Sequence, residues 1–177
     1  VLNTQVELKQ LYARPITLVT TLADGSQHRR SGYVTEAQSL DSDGGLARKS
    51  LLVRPWIALL DHTLCSRVWQ DKSVMDIVED VFSGHDSIAA WRWDEDVAQQ
   101  VANGLYGPTG GVRKYCVQYR ESDWSVVARL LAEEGLNWRV EEDEAAPGGH
   151  TIVIFASSLN QAQDPTSGTL VGGKGIR

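Results

Sequence analysis

Hydrophobic and polar positions follow a two-residue period through the first third of the chain and switch to a helical period twice afterwards. Val6-Glu7-Leu8 and the β-branched run Pro15–Leu22 predict strands. Ala23-Asp24-Gly25-Ser26 predicts the hairpin turn to a return strand over His28–Glu36. Asp41-Ser42-Asp43-Gly44-Gly45 predicts a second turn, leading into an extended stretch over Leu46–Leu60. Short β-rich runs broken by turns predict an antiparallel barrel or sandwich segment.

The period changes after Leu60. Ser73 is placed to cap a helix, with Asp76 three positions on to answer a free backbone N–H. Val74, Ile77, Val78 and Val81 supply its apolar stripe, and Gly84 is placed to end it. Trp91 and Trp93 alternate as strand residues, residues 103–111 predict a loop, and Arg113–Tyr119 predicts another strand. A second helix has Ser122 as cap, Asp123 against the N-terminal dipole, and Trp124, Val127, Ala128 and Leu131 as its stripe. Gly135 is placed to end it, before a hairpin of Leu136–Glu142 and His150–Ala156. The two stripes are offset by 50 residues, which suggests a duplicated helix-strand-strand unit. The expected fold is therefore α+β, mainly β. Residues 1–60 form the barrel or sandwich segment. Residues 61–156 form an α+β domain with helices near 73–83 and 122–134, and the Gly-rich 157–177 is a connector.

A length of 177 residues with 42% hydrophobic and 23% charged positions fits one domain or two small ones. The apolar runs are far shorter than the ~20 residues of a membrane span, so no transmembrane segment is expected. No basic stretch followed by an apolar run opens the sequence, so no secretory signal is expected. The first residue is Val1, and the chain reads as a piece of a longer one. The net charge of −6 is unevenly held: residues 1–60 carry seven basic and five acidic residues, residues 61–177 ten and eighteen. That distribution lacks the concentrated basic footprint of a nucleic-acid binder. Cys65 and Cys116 form neither a disulfide framework nor a CxxC zinc pattern.

Candidate chemistry is sparse. Gly168 to Lys174 has the spacing of a phosphate-binding loop, but Gly175 stands where Ser or Thr would hold magnesium. Glu133-Glu134 and Glu141-Glu142-Asp143-Glu144 read as solvated charge runs, not as an acid/base pair across a cleft. His62 and Cys65 have metal-like spacing without a second pair to complete four ligands. No catalytic residue, metal or cofactor is expected. Trp91 and Trp93 share a strand face that could stack on sugar rings, although packing against the helices is the favoured reading.

The most informative string is Tyr115–Trp124, continuing through Gly135, together with Leu52-Val53-Arg54-Pro55-Trp56, Ser66–Val74 and His150–Ile154. In order and spacing these segments resemble the VgrG family, the spike proteins of the bacterial type VI secretion system. The resemblance spans roughly residues 6–156. It marks Arg54, Pro55, Trp56, Asp71, Lys72, Ser73, Tyr119, Arg120, Glu121, Ser122, Asp123 and Trp124 as structural motif residues. It implies a phage-tail-hub fold, a homotrimeric ring at the tip of the Hcp tube, cytoplasmic assembly and ejection toward target cells. Baseplate components and effectors would be engaged through regions outside this chain. Contact with the tube is implied for the barrel portion, which makes Arg14, Arg29, Arg30, Arg48 and Lys49 candidate tube-facing residues. The alternative is a sugar- or peptidoglycan-binding module using the Trp91/Trp93 face.

Overall fold

The structure, a computed structural model, describes residues 7–43, 46–102 and 111–160. Pro15–Thr21 (β1), Gln27–Asp43 (β2) and Leu46–Arg54 (β3) form an antiparallel sheet in the order β1-β2-β3, open and not closed into a barrel. The Asp24-Gly25 turn forms as its sequence dictates. Ser26 N–H donates to Asp24 Oδ1 at 2.9 Å, and Gly25 takes a left-handed φ of 84°. Residues Asp41–Asp43, expected in a turn, instead extend β2, because pairing of Ser42 with Ala47 and Asp43 with Leu46 prolongs the ladder.

The extended stretch expected up to Leu60 stops at Arg54. Pro55 has no N–H for a ladder, and at φ −57° it opens a 3-10 helix over Trp56–His62 that buries Trp56, Ile57 and Leu60. There follow Leu64–Trp69 (β4), Lys72–Ser73 (β5), Val74–Ser83 (α1), Trp91–Trp93 (β6), Glu95–Ala102 (α2), Val112–Arg113 (β7), Cys116–Ser122 (β8), Asp123–Glu133 (α3), Asn137–Glu142 (β9) and His150–Phe155 (β10). β4 pairs with β8 and β5 with β7, both antiparallel. β10 is the middle strand of a mixed sheet, parallel to β6 and antiparallel to β9, with all six residues buried.

α1 begins with a full capping box. Asp76 N–H donates to Ser73 Oγ at 3.1 Å, and the Ser73 hydroxyl and amide donate back to Asp76 Oδ2 at 2.7 and 2.9 Å. The Ser73 hydroxyl is the main reason the Asp76 carboxyl sits below its usual pKa. Gly84 follows α1 in a right-handed conformation, φ −67°, so its freedom to turn left-handed is not used. α2 was not expected from the sequence. Only Val97 of Glu95–Val97 is buried, too short a pattern to stand out, and the helix is tied down from outside: Asp96 accepts the Ala156 and Ser157 amides after β10. With a three-residue β6 and then α2 following α1, and the β9–β10 hairpin following α3, the described residues do not form a repeated unit.

α3 is capped by Ser122, whose hydroxyl accepts Ser125 N–H at 3.0 Å. It ends in a Schellman arrangement, Leu136 N–H to Leu131 O at 2.8 Å and Gly135 N–H to Ala132 O at 3.2 Å, with Gly135 at φ 70°. Its buried stripe is Val126, Val127, Leu130 and Leu131, whereas Trp124 and Ala128 are only half-buried. The sequence reading had the stripe rotated, because Trp124 is large and apolar but packs edge-on against Trp138 of β9, 5.4 Å between centroids. Ser122→Ala is expected to cost about 0.5–2 kcal/mol by urea melting, the range for losing an N-cap. An unchanged midpoint would mean that the cap contributes nothing.

One core joins the sheets and helices. Tyr33 of β2, Trp56, Ile57 and Leu60, the inner faces of α1 and α3, and Ile152 and Ile154 of β10 lie in a single buried cluster. The Trp56 indole donates to Ala90 O at 3.1 Å, and the Trp56 amide donates to Nε2 of the fully buried His150 at 3.0 Å. His150 Nδ1 lies 2.9 Å from Gly148 O, so the tautomer carrying its proton on Nδ1 satisfies both. The acidic run before β10 is not simply solvated. Glu141 holds Arg92 and Arg139, Glu142 accepts Ser31 N–H, Asp143 accepts the Thr151 hydroxyl, and Glu144 pairs with Arg29. Gly148 follows within that turn because a Cβ there would meet the Tyr33 ring at 2.4 Å.

Candidate functional site

The motif string around residue 120 folds into a strand-to-helix corner, and its centre is Asp123. The first residue of α3 is fully buried, and its amide donates to Thr63 O at 3.0 Å. Gln118 Nε2 donates to Oδ1 at 2.8 Å, His85 Nε2 lies 2.8 Å from Oδ2, and Arg67 Nη2 lies 3.3 Å from Oδ2. Gln118 also donates to Glu121 O at 3.1 Å. Burial raises the Asp123 pKa, but the Gln118 and His85 hydrogen bonds and the Arg67 charge outweigh it and leave the carboxyl below its ordinary value. The carboxylate thus pins β4, the segment after α1, β8 and α3 to one point.

The sequence reading assigned Asp123 to the helix dipole and missed its partners. The signal was present in the alternation. In β4, Cys65, Arg67 and Trp69 point inward while Leu64, Ser66 and Val68 point outward. In β8, Cys116 and Gln118 point inward while Val117 and Tyr119 point outward. A glutamine and an arginine at inward strand positions require a buried acceptor.

The remaining motif residues scatter around this corner. Glu121 pairs with Arg129 at 2.6 Å. Arg120 is the extra residue of a β-bulge: Cys65 faces Glu121 and Ser66 faces Tyr119, leaving Arg120 at φ 50° with its guanidinium 5.5 Å from the Tyr119 ring centroid. Asp71, at φ 51°, makes the turn into β5, where Lys72 pairs with Arg113 and Ser73 caps α1. Trp124 packs on Trp138. Arg54, Pro55 and Trp56 lie elsewhere, at the end of β3. Arg54 is exposed and 3.7 Å from Glu36, while Trp56 is in the core.

Arg14 precedes β1, Arg29 and Arg30 are on β2, and Arg48 and Lys49 are on β3. Adjacent strand residues face opposite sides, so Arg29 and Arg30 do not share a face. Arg29 is 3.0 Å from Glu144 in an exposed pair. Trp91 and Trp93 are half-buried: Trp91 packs edge-on against Phe82, and the Trp93 indole donates to Glu79 at 2.9 Å. Among the described residues no group of His, Cys, Asp and Glu could hold a metal ion. The Gly168–Lys174 segment lies outside the described residues.

This arrangement of an open β-sheet followed by a helix-bearing mixed sheet is a phage-tail-hub fold. It aligns over 92% of the chain, at TM-score 0.69 and 18% identity, with 41% of a solved Escherichia coli protein. That protein is a type VI secretion component with structural similarity to the T4 bacteriophage tail proteins gp27 and gp5. Residues 2–172 match the phage tail baseplate hub (GPD) family, and the chain belongs to that family. It is similar to the type VI secretion system spike proteins VgrG1b and VgrG1a of Pseudomonas aeruginosa, 25% identical over 163 residues and 28% over 152. The matched regions cover 92% and 86% of this chain, yet only 20% and 21% of those relatives.

Proposed function

We propose that this chain is a structural hub module of a type VI secretion spike, contributing to a homotrimeric ring on the tip of the Hcp tube. What carries the reading is the corner itself. Its most deeply buried charged group, Asp123, is fully engaged in joining elements, and its hydrogen bonds serve architecture rather than a reacting atom. We further propose that the chain has no enzymatic role. The spike would assemble in the cytoplasm and be ejected through the apparatus, with baseplate components and effectors engaged by other parts of the protein.

In this reading residues 1–60 are the hub β-segment, residues 61–156 the α+β hub domain and residues 157–177 the connector. The motif residues hold the corner and the core, and the basic residues of the first segment include the tube-facing ones. Support comes from the charge split and from an open sheet whose strands pair only with one another among the described residues. No helix among the described residues is long and apolar enough to cross a membrane.

Complementary charge sets docking rate and register more than final affinity. Arg29→Glu combined with Arg30→Glu is therefore expected to slow association with the tube protein severalfold at low salt. The melting temperature should barely change, since an exposed pair such as Arg29–Glu144 contributes about 0–1 kcal/mol. Surface plasmon resonance across ionic strengths checks this. Normal binding by that variant, with loss on reversing acidic residues of 61–177, would place the tube on the other face.

A further inference from the structure

We propose that the outer face of the β4–β8 ribbon, centred on Tyr119 and Arg120, is the surface on which one copy of this chain packs against the next; this rests on the ring reading above. The ribbon is apolar on both faces. Its inward positions carry Cys65, Trp69 and Cys116 beside Arg67 and Gln118, while its outward positions carry Leu64, Val68, Val117 and Tyr119 beside Ser66. Leu64 is 71% exposed, Val68 55% and Tyr119 68%. On a sheet with one wet face the outward row is polar, so an apolar outward row marks a face covered in the assembly. Among the described residues β4 and β8 pair as strands only with each other, and on β8 the Val117 carbonyl accepts from the Arg129 guanidinium.

Arg120 adds an independent observation. Its backbone is left-handed at φ 50°, a conformation that disfavours any side chain with a Cβ, where glycine would serve without strain. Strain retained at a bulge points to a use for the side chain placed there. The other arginines described between residues 61 and 160, Arg67, Arg92, Arg113, Arg129 and Arg139, each hold a carboxylate. The Arg120 guanidinium instead lies over an exposed tyrosine, 5.5 Å from its centroid. An arginine stacked on a tyrosine within an apolar surround has the composition of an interface hot spot.

The occupant must bring apolar surface and negative charge, and a second copy supplies the charge. The exposed outer face of α1 carries Asp76, Glu79 and Asp80, which among the described residues bond to Ser73, Trp93 and Trp69 and to no arginine. The outward Arg120 of one copy meeting an acidic face on the next is a head-to-tail contact, the kind that closes rings.

The test is sedimentation equilibrium of this chain from about 10 μM to about 1 mM, beside its thermal melt. Wild type should associate weakly at the upper end of that range. Arg120→Gly removes the guanidinium and the left-handed strain together, so it should weaken association by roughly tenfold or more while the melting temperature holds or rises. Tyr119→Ala should weaken it similarly, and Arg54→Ala should leave it unchanged. If Arg120→Gly and Tyr119→Ala associate like wild type, the contact is elsewhere and this inference falls while the ring reading stands. Wild type that stays monomeric to about 1 mM overturns the inference and weighs against the ring reading as well. If Arg120→Gly abolishes binding to the tube protein and spares self-association, the ribbon faces the tube and the inference is wrong.

Discussion

Asp123→Ala is expected to lower stability by about 3–5 kcal/mol, the range for removing one partner from a buried ionic cluster. Against a total of ~5–15 kcal/mol for an ordinary domain, that loss should leave a visible unfolded population. The reason is not one lost bond. Arg67, His85 and Gln118 all converge on this carboxylate, and its removal leaves the half-buried Arg67 guanidinium without its counter-charge and the buried Gln118 amide with Glu121 O alone. Guanidinium chloride melts of the variant measure the loss, and a change below ~1 kcal/mol would show that the cluster repacks or hydrates at little cost.

The same group gives a pH dependence. Burial pushes the Asp123 carboxyl up, but Gln118, His85 and Arg67 prevail, so its folded pKa lies below the ordinary value of an aspartate. The stabilisation linked to that difference is complete above the unfolded value. It is lost as pH falls through the folded one, because protonation then has to break the cluster. Asp76, Glu133 and Glu141 are shifted the same way and share the acid limb. The diagnostic quantity is therefore the difference between wild type and Asp123→Asn, which should shrink as pH drops from 5 toward 2 (about two to three units across the usual carboxylate range).

Trp56→Ala is expected to cost about 3–5 kcal/mol as well, the range for truncating a buried aromatic. Trp56 is fully buried, its ring meets Phe82 edge-on at 4.8 Å, and its indole N–H donates to Ala90 O. Trp56→Phe keeps much of the apolar volume but leaves Ala90 O without that donor. Ala90 O still accepts the Ile152 amide at 2.9 Å, so the variant should lose about 0.5–1.5 kcal/mol for the one lost bond, and the comparison separates packing from hydrogen bonding. A Trp56→Ala variant as stable as wild type would contradict the placement of this side chain at the joint between the open sheet and the rest.

Features governed by local chemistry were legible in the sequence. The Asp-Gly hairpin, the Ser73 and Ser122 caps, the Gly135 stop and the β9–β10 hairpin depend on residues a few positions apart. Features governed by distant residues were not. Nothing near Asp41–Asp43 says that Ala47 and Leu46 will extend the ladder. Nothing near Glu95 says that Asp96 will hold the backbone after β10. The Asp123 cluster draws on residues 67, 85 and 118, a separation that no local motif spans, and only the inward polar positions of β4 and β8 hinted at it. Gly84 shows the opposite error, a residue with the right identity for a left-handed cap in a place where the chain did not need one.

The hub role itself is tested most directly by locating the chain on the tube. Gold-labelled chain at saturating concentration, mixed with preformed Hcp tubes and imaged by electron microscopy, should mark one end of each tube and leave the walls bare. Label spread along the walls, or no label at any concentration, would contradict the assignment of this chain to the tip of the tube.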